Sequence, residues 1–127
     1  MKLMTQTMKN SIIEAFHLAE LDKSKLREVE RDLYGNSGRK IRHTINNICS
    51  IKENAVYVEL GVYRGSTLVA ANYGNKLISY AIDDFSIDIK EADNYKETGW
   101  NNPRIAVKEL IQKYKFNGVN LIESDVN

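Results

Sequence analysis

A glycine turn with an acidic residue in front of it is the part of the sequence best suited to bind a small ligand. Glu59 precedes Gly61 by two residues, and Gly65 follows four residues later. Glycine lets a ligand approach the backbone closely, and the amides of Ser66 and Thr67 come directly after the turn. The carboxylate of Glu59 disfavours a pyrophosphate at this turn. The pattern therefore favours a ligand with an ammonium or sulfonium group.

Two residues inside the turn separate it from a dinucleotide site. Tyr63 stands where the second glycine of the G-x-G-x-x-G fingerprint belongs. Arg64 lies near the start of the next predicted helix, where its charge opposes the helix dipole. Two interpretations of Arg64 stay open: it holds the carboxylate of a ligand, or it has no functional role.

Acidic residues also end the two later apolar runs. Asp83 lies 22 residues after Gly61, at the position from which a carboxylate accepts hydrogen bonds from the hydroxyls of an adenosine ribose. Asp84 follows it. Asp125, after the third run, could accept from an adenine amino group. The alternative for these acids is a structural role as turn formers and helix caps.

The elements that must position these residues change character near residue 55. Residues 1–54 are predicted to form a helical cap, with a capping box at 11–14 and further helices near 26–33 and 39–49. Residues 55–127 alternate strand, helix, strand, helix, strand, with strands at 55–60, 77–82 and 119–122. The continuous apolar character of the strands is typical of a sheet buried on both faces. We predict an α/β fold with a Rossmann-like parallel sheet in the order 3-2-1 and helices on both faces.

Composition limits the classes of function. The chain has 127 residues, a net charge of +1 and one cysteine, which suits a small domain without disulfides or a four-cysteine zinc site. The charge does not favour nucleic acid. The absence of a long apolar run or a secretion signal predicts a cytoplasmic protein without a membrane partner. The acids between 83 and 93 lack metal-ligand spacing, so no metal is predicted.

The residues of the turn carry a resemblance to a known family. The stretch Glu59-Leu-Gly-Val-Tyr-Arg-Gly-Ser-Thr67, with Ala81-Ile-Asp83 and Glu123-Ser-Asp125, resembles the cofactor-binding half of class I S-adenosylmethionine-dependent methyltransferases. The resemblance covers about residues 36–127. It implies that Glu59, Gly61 and Gly65 surround the methionine part of S-adenosylmethionine, that Asp83 binds the ribose, and that Asp125 lies near the adenine.

The resemblance also implies that this chain carries only part of such an enzyme. Those methyltransferases have about seven strands in the order 3-2-1-4-5-7-6, whereas three are predicted here. The first strand would then be an uncovered edge that invites self-association. The alternatives are a non-catalytic nucleoside-binding or interaction module and, more weakly, an NAD-dependent oxidoreductase. The sequence identifies neither the methyl acceptor nor a catalytic residue.

Two further clusters have competing interpretations. The basic run Arg39, Lys40, Arg42 and His43 is either a solvated helix face or a site for an acidic substrate or the cofactor carboxylate. The second cluster lies in the polar stretch 85–100, which shows no clear period. Its aromatic residues are hypothesised to form a lid over the adenine or the acceptor: Phe85, Tyr95 and Trp100.

Overall fold

The computed structural model describes residues 5–124 and shows an α/β fold. Three strands alternate with helices after a helical amino-terminal region. The elements are α1 (Gln6–Glu20), α2 (Glu28–Arg31), α3 (Arg39–Cys49), β1 (Ala55–Leu60), α4 (Ser66–Asn72), β2 (Leu77–Asp83), α5 (Ser86–Lys90), α6 (Ala92–Thr98), α7 (Pro103–Tyr114) and β3 (Val119–Glu123). None of the helices within this range is both long and apolar enough to cross a membrane.

The sheet is open and entirely parallel. The strands lie in the order β1-β2-β3, with β2 in the centre. Ala55 is in register with Leu77, and Ser79 with Val119. The expected order 3-2-1 names the same neighbours counted from the opposite edge. Both β1 and β3 are therefore edge strands, and their carboxyl ends lie at the same edge of the sheet as that of β2.

One face of the sheet packs against the helices and forms the core. The core is one cluster of buried side chains from α4, α7, β2 and the loops that follow β1 and β2: Leu68, Val107, Ala81, Val62 and Phe85. These five side chains are almost completely buried. The glycine turn after β1 is thus held between the sheet and two helices.

The other face of the sheet is exposed, so the predictions of a sheet buried on both faces and of helices on both faces are wrong. Burial alternates along β1 and β2, which is the pattern of strands covered on one side only. The uncovered side, called the open face below, comprises Val56, Val58, Leu60, Ile78, Tyr80, Ile82, Asn120 and Ile122.

The amino-terminal helices pack on one another and then on α4. α3 lies between α1 and α4, and its bounds are those predicted from the sequence. α1 begins earlier than predicted: the hydroxyl of Thr5 accepts from the backbone N–H of Met8 at 3.1 Å and caps the helix. Ser11 lies inside α1, where its hydroxyl donates to the carbonyl of Thr7. The predicted capping box at 11–14 is therefore wrong.

A fully buried asparagine, Asn46 of α3, joins this helical region to α4. Its amide nitrogen donates to the carbonyls of Ala70 at 2.8 Å and Tyr73 at 2.9 Å. Its amide oxygen accepts from the backbone N–H of Lys25 at 3.0 Å. Three backbone groups from two other segments depend on this one side chain.

Replacing Asn46 with alanine is expected to lower the free energy of unfolding by about 2–4 kcal/mol, because these backbone groups lose their partner in a buried place. The measurement is the urea unfolding curve. Asn94→Ala is the control, since Asn94 is exposed on α6, and it should change stability by less than about 0.5 kcal/mol. Equal effects of the two substitutions would contradict the role assigned to Asn46.

A buried carboxylate, Glu30 of α2, makes a second long-range connection. It accepts from the guanidinium of Arg27 and, at 2.8 Å, from the hydroxyl of Tyr114 in α7. The hydrogen bond with Arg27 is the main reason why the pKa of Glu30 falls to about 2. Glu30 therefore stays ionised at ordinary pH and ties α2 to the end of α7.

Candidate functional site

The glycine turn joins the carboxyl end of β1 to α4. Gly61 and Gly65 have φ of 83° and 89°, in the region that L side chains rarely adopt. A Cβ on Gly65 would lie 3.4 Å from Val107 and from Leu110, whereas a Cβ on Gly61 would meet nothing within 4 Å. Gly65 therefore serves close packing on α7, and Gly61 leaves open space on the turn.

Asp83, at the carboxyl end of β2, holds this turn in place. One carboxylate oxygen accepts from the backbone N–H of Val62 at 2.7 Å and of Tyr63 at 2.9 Å. The other accepts from the N–H of Phe85 at 2.9 Å. The side chain predicted to bind a ribose thus also organises the backbone that would surround the ligand.

The other two acids predicted at the strand ends differ in placement. Asp84 is exposed beside Asp83, and one of its carboxylate oxygens accepts from the backbone N–H of Ser86 at 2.9 Å. That hydrogen bond contributes to lowering the pKa of Asp84. Asp125 lies outside the described residues.

Glu59 is the buried acid of the site. Its side chain faces the helical side of the sheet, and the residue is 8% exposed. One carboxylate oxygen accepts from the hydroxyl of Tyr57 at 2.6 Å. The other is buried and has no hydrogen-bond partner among residues 5–124. Burial, with a smaller contribution from the charge of Asp83, raises the pKa of Glu59 to about 7.

The amino terminus of α4 is covered by the loop before α3. A Cβ on Gly35 would collide with the side chain of Ser66, so the loop lies directly against that residue. The hydroxyls of Ser37 and Thr67 are 3.2 Å apart. The side chains of Ser66 and Thr67, both predicted to bind the cofactor, therefore contact the amino-terminal region of this chain.

Arg64 is engaged by this chain's own residues. Its guanidinium donates to the carbonyl of Asn101 at 2.8 Å and lies 5.9 Å and 5.6 Å from the ring centres of Tyr34 and Trp100. These two rings meet edge to face at 5.2 Å. Together they line a cavity of about 450 Å³ beside α7. Arg64 thus fixes the turn to two loops, a role that the sequence did not reveal because Tyr34 lies 30 residues away.

The structure separates the three aromatic residues of the hypothesised lid. Phe85 is 1% exposed and belongs to the core, so it cannot form part of a lid. Tyr95 is half-buried on α6, and Trp100 packs against Tyr34. The polar stretch without a clear period contains two short helices, α5 and α6.

The basic run in α3 does not form a cationic surface. Lys40 pairs with Glu20 at 2.7 Å, and Arg39 with Asp32 at 3.1 Å. Arg42 is buried, and its guanidinium donates to the carbonyls of Arg31 and Leu33 and to the hydroxyl of Ser37. The interpretation of the whole run as a solvated face is therefore wrong for Arg42 and for His43, which are both buried. Arg42 shapes the loop that covers α4.

His43 has a serine partner that the sequence did not reveal. The hydroxyl of Ser24 lies 2.7 Å from Nδ1 of the imidazole. Nε2 is buried and lacks a partner among the described residues, and burial lowers the pKa of His43. Without a carboxylate on Nε2, the pair lacks the third member of a nucleophilic triad. Ser24 and His43 are 19 residues apart in the sequence, and no known motif marks a pair with this spacing.

Comparison with protein-family models, with curated proteins and with solved structures gave no match. Within residues 5–124, no three His, Cys, Asp or Glu side chains come close enough together to hold a metal ion. The features of the molecule that bear on function are therefore the glycine turn and the two acids beside it, Glu59 and Asp83.

Proposed function

We propose that this chain binds S-adenosylmethionine at the carboxyl ends of β1 and β2 and serves in methyl transfer. The observation that carries the proposal is the buried Glu59 carboxylate. One of its oxygens has no hydrogen-bond partner among residues 5–124, and Glu59 lies at the end of the strand that leads into Gly61. A buried carboxylate is costly unless a cation or hydrogen-bond donor compensates it. A cationic ligand supplies that compensation.

The charge balance around the turn supports a cation. Glu59 and Asp83 are close enough for the charge of Asp83 to raise the pKa of Glu59. No lysine or arginine within the described part of the chain forms a salt bridge with either acid. S-adenosylmethionine carries an ammonium and a sulfonium. A pyrophosphate would add negative charge to a site that is already acidic.

Asp83 and Asp84 have different roles in the proposed site. Asp83 holds the amides of the turn, and it therefore acts as a positioning residue. Asp84 is exposed at the same strand end and is the better candidate to accept the ribose hydroxyls. The spacing from Gly61 and the resemblance had both assigned the ribose to Asp83.

The reaction is a direct displacement at the sulfonium methyl group. The acceptor atom forms a bond to the methyl carbon as the carbon–sulfur bond breaks, and the electron pair of that bond stays on sulfur, which becomes a neutral thioether. The protein contributes chiefly by holding donor and acceptor in line. Glu59 and the glycine turn, which Asp83 holds in place, position the methyl donor.

Calorimetric titration with S-adenosylhomocysteine, NAD and ATP at pH 8 tests the proposal. S-adenosylhomocysteine is expected to bind because it keeps the ammonium and the adenosine, whereas NAD and ATP bring phosphates towards Glu59 and Asp83. Binding of NAD alone, or of none of the three, would overturn the proposal.

A nucleoside-binding module without catalysis is the second candidate. Both histidines of the chain lie in the amino-terminal helices, and His43 is hydrogen-bonded to Ser24, so neither stands beside the turn as a base. Methyl transfer from S-adenosylmethionine to a panel of acceptors separates the two candidates once binding is established.

A further inference from the structure

The open face of the sheet is an apolar surface without a charged side chain. Six of its side chains are between 38% and 66% exposed, with the highest values on β1: Val56, Val58, Leu60, Ile78, Tyr80 and Ile122. They are contiguous across the sheet, because Val58 is in register with Tyr80, and Ile82 with Ile122. The polar member, Asn120, donates its amide to the carbonyl of Ser79.

The size of this surface is that of a binding face. The apolar area it exposes is on the order of 500 Å², within the range of the largest apolar patch on a typical monomer, and such patches commonly mark interaction sites. It approaches the roughly 800 Å² that each partner contributes to a standard interface. Flanking residues at the rim would supply the remainder.

We propose that the open face binds the open face of a second copy of this chain, related by a two-fold axis. Two sheets packed in this way lie roughly 10 Å apart and bury both apolar surfaces at once, as in a β-sandwich. An isologous contact of this kind closes at two copies. It requires no complementary charge, and the net charge of +1 per chain gives little repulsion.

Pairing of two copies through the edges of their β1 strands would leave the open face uncovered. Two β1 edges joined by hydrogen bonds would extend the sheet and place two open faces side by side, still exposed to water. The contact therefore involves the face of the sheet, whereas the sequence had suggested the edge of its first strand.

Sedimentation velocity of the wild-type chain between about 1 and 100 μM tests the proposal, with Val58→Lys and Ile89→Lys as a matched pair. Val58 is the middle one of the three open-face residues of β1. Ile89 is 84% exposed on α5, which contacts α7 on the helical side of the sheet. The wild type and Ile89→Lys should sediment at twice the chain mass of 14.5 kDa. Val58→Lys should raise the dissociation constant at least about 100-fold, because each copy would bury an unpaired ammonium.

Circular dichroism and urea unfolding establish that both variants are folded, and Tyr80→Lys repeats the test from β2. If the wild type is a monomer at 100 μM, the proposal is overturned. The partner that covers the open face would then be a different polypeptide. Dimers that persist in both Val58→Lys and Tyr80→Lys, or species larger than two copies, would also overturn it.

Discussion

Replacing Glu59 with glutamine is expected to stabilise the unliganded protein at pH 8 and to weaken its binding of S-adenosylmethionine. The two effects have one cause, the buried carboxylate whose second oxygen has no partner within residues 5–124. Ionisation of that carboxylate opposes folding, whereas a bound cation requires it. The same substitution therefore changes stability and affinity in opposite directions.

The stability effect follows from the raised pKa. Glu59 titrates near pH 7 in the folded protein, against an ordinary value of 4.5. Between these values the folded state binds more protons than the unfolded state, so stability falls as pH rises through this window and the full cost is present above pH 7. Glutamine does not ionise, and the variant should gain about 1–3 kcal/mol relative to wild type between pH 5 and pH 8.

Urea unfolding of both proteins at the two pH values gives this difference. Glu97→Gln is the control, because Glu97 is exposed on α6 and its substitution should have the same small effect at both pH values. A Glu59→Gln effect that is equal at pH 5 and pH 8 would show that the carboxylate is not held at a raised pKa.

The affinity effect should depend on pH with the opposite sign. Because the cation binds the ionised carboxylate, wild-type affinity for S-adenosylmethionine should rise with pH up to about 7, by at most tenfold per unit. Glu59→Gln should bind at least about tenfold more weakly at pH 8 and show a flatter pH profile. If a folded Glu59→Gln variant binds S-adenosylmethionine with unchanged affinity, Glu59 is not part of the cofactor site.

Replacing Asp83 with asparagine is expected to cost about 2–3 kcal/mol of stability, through loss of order in the glycine turn. The carboxylate accepts three backbone N–H groups, whereas an asparagine offers one acceptor and turns a donor towards the remaining N–H groups. Cofactor affinity should fall with stability, because the turn is part of the binding surface.

The neighbouring Asp84→Asn variant is the matched control for Asp83→Asn. Asp84 is exposed and accepts from the backbone N–H of Ser86, its neighbour but one in sequence. Its replacement should therefore change the free energy of unfolding by less than about 0.5 kcal/mol. If Asp84 accepts the ribose hydroxyls, the variant should nevertheless bind S-adenosylhomocysteine about tenfold more weakly. Unfolding curves that place Asp83→Asn at wild-type stability would contradict its role in the turn.

The sequence predicted the local structure of the site well, because that structure depends on near neighbours. The bounds of β1 and α3 are confirmed, and both glycines of the turn adopt left-handed conformations. An apolar run, an amphipathic period and a glycine spacing are all local signals. They locate Glu59 and Asp83 at neighbouring strand ends without any tertiary information.

Long-range contacts account for most of the errors. Apolar runs such as those of β1 and β2 occur both in sheets covered on one face and in sheets covered on both faces. The open face therefore could not be predicted from the sequence. The role of Asp83 depends on the amides of Val62 and Tyr63, about 20 residues earlier. The pairs Ser24–His43 and Arg64–Tyr34 join segments whose proximity only the folded chain determines.

The contacts of the amino-terminal helices also set the order in which a growing chain can complete its structure during synthesis. Asn46 leaves the ribosome before its partners Ala70 and Tyr73, which lie 24 and 27 residues later, and Glu30 precedes Tyr114 by 84 residues. The first half of the chain therefore cannot reach its final packing while it emerges. The hydrogen bonds of Asn46 can form once Tyr73 has emerged, whereas the bond between Glu30 and Tyr114 forms only after α7 has been synthesised.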